Sequence, residues 1–224
     1  MKIAIVGAES TGKSRLAQDL ALRLAADTGL SCIVVPEYLR AWCEQHGRTP
    51  RADEQATIAA EQARQIDAAA QAHELVICDT TPLMTAVYSQ LLFDDTSLAA
   101  AALAFQRRCA LTLLTALDLP WVADGLQRDG PHVQQPVDAA LRSALLGAGL
   151  GWSSVTGRDG ARLESALNAI TTLLLRRTPP GQRSGGLFTR LQARQDGLPE
   201  QAWFCQDCDV PECEHATLLR ARLR

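Results

Sequence analysis

Eight consecutive residues, Gly7-Ala8-Glu9-Ser10-Thr11-Gly12-Lys13-Ser14, constrain this chain more than any other feature. They follow a short apolar run, Ile3–Val6, and precede a stretch with helical spacing, Leu16, Leu20 and Leu24 on one face. Gly-x4-Gly-Lys-Ser between a strand and a helix is the pattern of a phosphate-binding P-loop. Gly7 permits the sharp turn and Gly12 lets the backbone approach phosphates. The N–H groups at the helix start form an anion cradle. Lys13 is expected to reach the β- and γ-phosphates, and the Ser14 hydroxyl to ligate Mg²⁺. Lys2 and Lys13 are the only lysines in a chain whose positive charge is otherwise arginine.

A loop of this kind needs a parallel sheet around it, and the rest of the sequence predicts one. Apolar runs at Ser31–Val35, Glu74–Cys78, Leu111–Leu114 and Trp152–Val155 alternate with helical stretches at Glu37–Gln45, Asp53–Gln71, Pro82 onward, residues 96–108, Pro136–Leu146 and Asp159–Arg176. Five short strands alternating with helices give an α/β fold, a parallel sheet covered on both faces. Hydrophobic residues make up 47% and charged residues 21% of the 224, which suits a globular core. The net charge of −3 disfavours a general nucleic-acid footprint. No signal-peptide pattern and no apolar stretch of about 20 residues is visible, so a cytoplasmic protein away from membranes is expected. Asp118–Val133, with glycine, proline and charge, reads as a mobile loop.

In parallel sheets, ligands bind beyond the carboxyl ends of the strands. Glu37 lies just past the second strand, Asp79 just past the third, and Arg40 three residues after Glu37. A carboxylate can take a proton from a substrate hydroxyl, and an arginine can hold a phosphoryl group in flight. The bland alternatives are a surface ion pair for Glu37 and Arg40, and a helix cap for Asp79. No Asn/Thr-Lys-x-Asp signature occurs, which favours ATP over GTP. Tyr38, Trp42 and Tyr88 are candidates to stack on an acceptor base, with core packing the alternative for Trp42.

The P-loop, Glu37-Tyr38-Leu39-Arg40, Asp79-Thr80-Thr81 and Trp121-Val122-Ala123-Asp124-Gly125-Leu126 together resemble the ribosylnicotinamide kinase domain of NadR-type proteins, over about residues 1–176. The resemblance implies a P-loop NTPase of the nucleoside and nucleotide kinase kind, with ATP, Mg²⁺ and a small nucleoside-like acceptor such as nicotinamide riboside. The mechanism expected on these residues has Mg²⁺ held by Ser14 and, through water, by Asp79; Glu37 accepts the proton of a sugar hydroxyl or else binds the sugar, and Arg40 and Arg128 neutralise charge as the γ-phosphoryl moves. The loop at 120–133 becomes the lid over ATP, with Asp124 among the nucleotide-binding residues. The family's lid reads Asp-Asp-Gly-x-Arg, whereas this one reads Ala123-Asp124-Gly125-Leu126-Gln127-Arg128. A reading of a different class is an ATP-dependent switch or interaction module without a small-molecule acceptor.

The composition divides the chain into a P-loop domain (1–177), a linker rich in Pro, Gly and Ser (178–187) and a small tail (188–224). Four of the seven cysteines, Cys32, Cys43, Cys78 and Cys109, are scattered and read as small buried hydrophobes. Cys205, Cys208 and Cys213 cluster with His215, a donor set for structural Zn²⁺, with free thiols or a redox pair the alternative. Its acidic surroundings argue against a nucleic-acid finger, and a tail of this kind could dock a protein partner.

Overall fold

The centre of the fold is a strand with no exposed side: β1, Lys2–Val6, is apolar from Ile3 onward, and those four residues are buried. A computed structural model describes residues 1–122 and 130–177 of the chain. Along them follow α1 (Lys13–Thr28), β2 (Cys32–Val35), α2 (Tyr38–His46), α3 (Gln55–Ala72), β3 (Leu75–Asp79), α4 (Pro82–Phe93), α5 (Ala99–Gln106), β4 (Leu111–Thr115), α6 (Gln134–Gly147), β5 (Ser153–Val155) and α7 (Asp159–Arg177). Short 3₁₀ turns, Ala52–Glu54 and Pro131–Val133, lead into α3 and α6.

The five strands form one sheet in the order β2-β3-β1-β4-β5, and every pairing is parallel. Successive side chains on a strand point to opposite faces, so burial of both faces demands continuous apolar runs. Ile3 and Ile5, Leu75 and Ile77, and Leu113 meet Leu16, Leu20 and Leu24 of α1 and Leu167 and Ile170 of α7. Val6 and Leu114 face the other way, toward Leu83 and Val87 of α4 and Val137, Leu141 and Leu145 of α6. Val76 and Cys78 share that second side with Ile66 and Phe105.

The order places the crevice. From β1 the chain moves outward to β2, returns to β3, then crosses to β4 and β5 on the far side. The sheet therefore changes winding direction at β1, and the carboxyl end of β1 is the switch point where such sheets bind ligands. Pro82 opens α4 at its first turn, as proline prefers. No helix among the described residues is long and apolar enough to cross a membrane. The proposed linker and tail, with Cys205, Cys208, Cys213 and His215, and the lid residues Asp124 and Arg128 lie outside the described residues.

Candidate active site

The P-loop leaves β1 at Gly7, where φ is +151°. A Cβ here would stand 2.0 Å from the Thr115 Oγ1 of the neighbouring strand, so only glycine fits. Thr115 uses that closeness: its hydroxyl lies 2.7 Å from the Thr11 hydroxyl, which in turn donates to the Ala8 carbonyl at 2.8 Å. Gly12 then enters α1 in the left-handed region, at φ 74°. No side chain caps α1, and its first turn holds no acidic residue. The N-terminal N–H groups of a 16-residue helix are thus directed at the crevice for an anion. Lys13 lies back across the loop, its Nζ donating to the Ala8 carbonyl at 2.8 Å.

Glu37 reaches the site through a clamp. It is the residue before α2, in extended conformation at φ −65° and ψ 111°. Gln62 of α3, 2% exposed, fixes the residues on both sides of it. The Gln62 Oε1 accepts the Tyr38 N–H at 2.6 Å, and its Nε2 donates to the Pro36 carbonyl at 3.2 Å. Glu37, Arg40 and the loop residues Glu9–Ser14 line one cavity of about 690 Å³, closed further by Thr49, Pro50, Arg51, Gln55 and Tyr88. That size is ordinary for a small-molecule site. Four cationic side chains, Lys13, Arg15, Arg40 and Arg51, face it against the carboxylates Glu9 and Glu37, a balance that suits a polyphosphate. Glu37 and Arg40 are half-buried in this wall and do not form part of the open surface. Glu9 is 8% exposed, and its backbone carbonyl accepts from Gln134 Nε2 at 2.8 Å, which ties the loop to the start of α6.

Asp79 is the last residue of β3, one position earlier than expected, paired in register with Ile5. It is 4% exposed and its Oδ1 has no hydrogen-bond partner among the described residues. The cap of α4 is Thr81, whose hydroxyl donates to Gln106 Oε1 at 2.7 Å, so Asp79 is not a helix cap. A buried carboxylate oxygen left unsatisfied fits a bound cation or its water. Ser14, in the first turn of α1, is the other oxygen donor the sequence offers for Mg²⁺, which keeps several waters when bound. Asp79, Gly7 and Ala8 do not line the cavity itself.

Of the four scattered cysteines, Cys43 and Cys78 are buried as expected, whereas Cys32 and Cys109 are half-buried. Burial, then the charge of Glu37, pushes the Cys43 thiol up, so this cavity residue stays protonated. Burial likewise raises Cys32, Cys78 and Cys109, the last to about 11. Trp42 is 8% exposed and stacks on the His46 ring at 3.9 Å, so it belongs to the packing between α2 and α3, whereas Tyr88 lines the cavity.

Two groups were not foreseen. The described start of the segment after β4, Asp118–Val122, is tied to the fold at both of its ends. The Val122 N–H donates to Ser10 Oγ at 2.8 Å. Asp118 accepts from Arg162 Nη1 at 2.6 Å and from the Gly157 N–H at 2.6 Å. Burial alone would raise the Asp118 carboxyl, but the Arg162 guanidinium and the Gly157 N–H outweigh it and hold it below its ordinary value. Arg162 also donates to the Thr11 carbonyl at 2.8 Å, bracing the P-loop from behind. The second group is the pair Gln55 and Gln62, seven residues apart on one face of α3.

A family described as an AAA domain matches residues 2–162 of this chain. Among solved structures, a NadR protein in complex with NR matches with a TM-score of 0.58 and 20% sequence identity, over 77% of this chain and 50% of that one. A NadR protein in complex with NAD and AMP-PNP matches equally, with a TM-score of 0.58, 20% identity, 77% of this chain and 49% of that one. The chain spans about half the length of these NadR chains. At this identity the likeness is one of fold: the P-loop kinase-like parallel sheet. A comparison with curated proteins finds no match.

Proposed function

The chain belongs to the AAA-domain family, and on that footing we propose that it is a small-molecule kinase, transferring the γ-phosphoryl group of ATP to a nucleoside such as nicotinamide riboside. The observation that carries this reading is that the P-loop, Glu37 and Arg40 line one shared cavity. A loop that only held nucleotide would not need a clamped carboxylate in the same cavity. The NadR proteins of like fold were crystallised with NR and with AMP-PNP, which supports the choice of probes.

In this mechanism the P-loop N–H groups and Lys13 hold the β- and γ-phosphates. Glu37 takes the proton of an acceptor hydroxyl as that oxygen attacks the γ-phosphorus, and ADP leaves. Arg40 neutralises charge as the phosphoryl group moves. Ser14 and Asp79 would hold Mg²⁺, which when bound neutralises phosphate charge. Asp124 and Arg128, outside the described residues, are assigned to the nucleotide side by the sequence resemblance alone. The spacing of Cys205, Cys208, Cys213 and His215 supports a structural Zn²⁺, with the tail as a docking element for a protein partner.

The test is ADP production from ATP and Mg²⁺ with a panel of nucleosides. Strong stimulation by one nucleoside, abolished in Lys13→Ala, is expected. Glu37→Gln should lower kcat about 10²–10⁴-fold while leaving ATP binding intact. Slow turnover indifferent to every nucleoside, and responsive to a protein partner, would sink the kinase reading in favour of a switch.

A further inference from the structure

Gln55 is the first residue of α3, 3% exposed, and it lines the cavity. Its Oε1 is buried with no hydrogen-bond partner among the described residues. Two helical turns along the same face, Gln62 is as deeply buried, yet both ends of its carboxamide are bonded to the Glu37 turn. The two glutamines therefore have different work. Gln62 is a structural clamp, and Gln55 lines the cavity with the oxygen of its carboxamide unmet among the described residues. A buried polar atom without a partner destabilises the fold that carries it, and a methionine or leucine would avoid that cost.

The placement of Gln55 is fixed by the chain itself. Glu54 accepts from Arg48 Nη1 and Nη2 at 2.7 and 2.6 Å and from the Arg51 N–H at 2.8 Å. This holds the segment leading into α3 before any ligand arrives, as a recognition group requires.

We propose that Gln55 reads the acceptor substrate: its carboxamide pairs with a hydroxyl or a primary amide of the nucleoside. The inference rests on the kinase reading above. A carboxamide is both donor and acceptor, so its best complements are groups that are also both. Ribose hydroxyls and a base carboxamide share this chemistry.

The experiment uses the full chain, with nicotinamide riboside as acceptor probe, and compares wild type with Gln55→Met. The acceptor KM should rise about tenfold to a hundredfold, with the KM for ATP unchanged. The melting temperature of the unliganded variant should hold or rise, because the unmet oxygen is gone. The 3-acetylpyridine riboside, which lacks the amide N–H, and the 2′-deoxy analogue distinguish the two sources. The penalty of the substitution should vanish with the analogue that lacks the paired group. An unchanged acceptor KM, a penalty undiminished with both analogues, or a fall in melting temperature with unaltered kinetics overturns the inference. Wild-type protein that neither binds nor phosphorylates the nucleoside overturns the kinase reading first, and this inference with it.

Discussion

Replacing Arg162 by methionine should loosen the phosphate-binding loop from behind. Arg162 lies in the first turn of α7 and is 4% exposed. Its Nη1 donates to Asp118 Oδ1 at 2.6 Å and to the Gly157 carbonyl at 2.9 Å. Its Nη2 donates to the Thr11 carbonyl at 2.8 Å and to the Ala116 carbonyl at 3.2 Å. One guanidinium thus joins the P-loop, the end of β4 and the turn after β5. Removing one partner of a buried pair costs about 3–5 kcal/mol. The Asp118 side chain is 34% exposed, so water can take over part of its solvation. The lower end, about 3 kcal/mol, is therefore expected. At roughly 2–4 °C per kcal/mol for a domain of this size, the melting temperature should fall by about 6–12 °C. Nucleotide affinity should fall with it, since the Thr11 carbonyl belongs to the loop. Arg162→Lys keeps the charge but not the planar fork and should recover only part. Asp118 is held below its ordinary carboxyl value, so the pair contributes fully above about pH 3.9 and is lost as pH falls through the lower folded value. The difference between wild type and variant should be flat from about pH 5 to 8. Calorimetry and titration with a fluorescent ATP analogue measure both effects. A fall under about 3 °C with unchanged nucleotide affinity would show that other groups satisfy these carbonyls and that the brace is incidental.

Gly7→Ala should abolish nucleotide binding, because its Cβ would meet Thr115 Oγ1 at 2.0 Å, and Thr115→Ala in the same chain should restore part of it; equal binding by Gly7→Ala alone refutes the steric account. Hydrogen bonds from Arg48 and the Arg51 N–H hold the Glu54 carboxyl down at about 2, so the order they give the segment before α3 persists above pH 4.5 and is lost as pH falls toward 2. A carboxyl-carbon NMR titration should place its inflection near 2; an inflection near the ordinary 4.5 sinks this. Metal analysis of the full chain purified without added metal should find one zinc per chain, removed by Cys208→Ser; no stoichiometric zinc refutes that assignment.

What the sequence disclosed depended on whether a residue's neighbours in the chain were also its neighbours in space. The P-loop is such a case, since strand, turn and helix start are contiguous. The α1 stripe of Leu16, Leu20 and Leu24 is another, and all three are buried. The five strands were legible because burial on both faces forces unbroken apolar runs. Arg162 was not legible, because a lone arginine in a helix looks like a solvated side chain. Its partners lie 5 to 151 residues away along the chain. Gln55 and Gln62 were hidden similarly in a stretch rich in alanine and glutamine that reads as a polar helix face. Their seven-residue spacing was the available signal, and it gains meaning only once α2 is known to cover that face.

The two sides of the site are built differently, and the difference follows from the sheet. On the nucleotide side, the loop's main chain is held by side chains of the sheet, of α7 and of the loop itself: Thr115 of β4 against Gly7, Arg162 of α7 onto the Thr11 carbonyl, and Thr11 onto the Ala8 carbonyl. These depend on backbone shape, which tolerates no side chain at Gly7 and only a planar fork at Arg162. On the acceptor side, Glu37 and Gln55 are held by side chains of α3 and of the segment before it. These clamps sit on a helix and its lead-in, not on a strand, so they can be exchanged one at a time without moving the sheet. A change of acceptor would therefore be reached through Gln55 and residues 47–51 with nucleotide binding preserved, whereas substitution at Gly7, Thr115 or Arg162 should damage nucleotide binding whatever the acceptor.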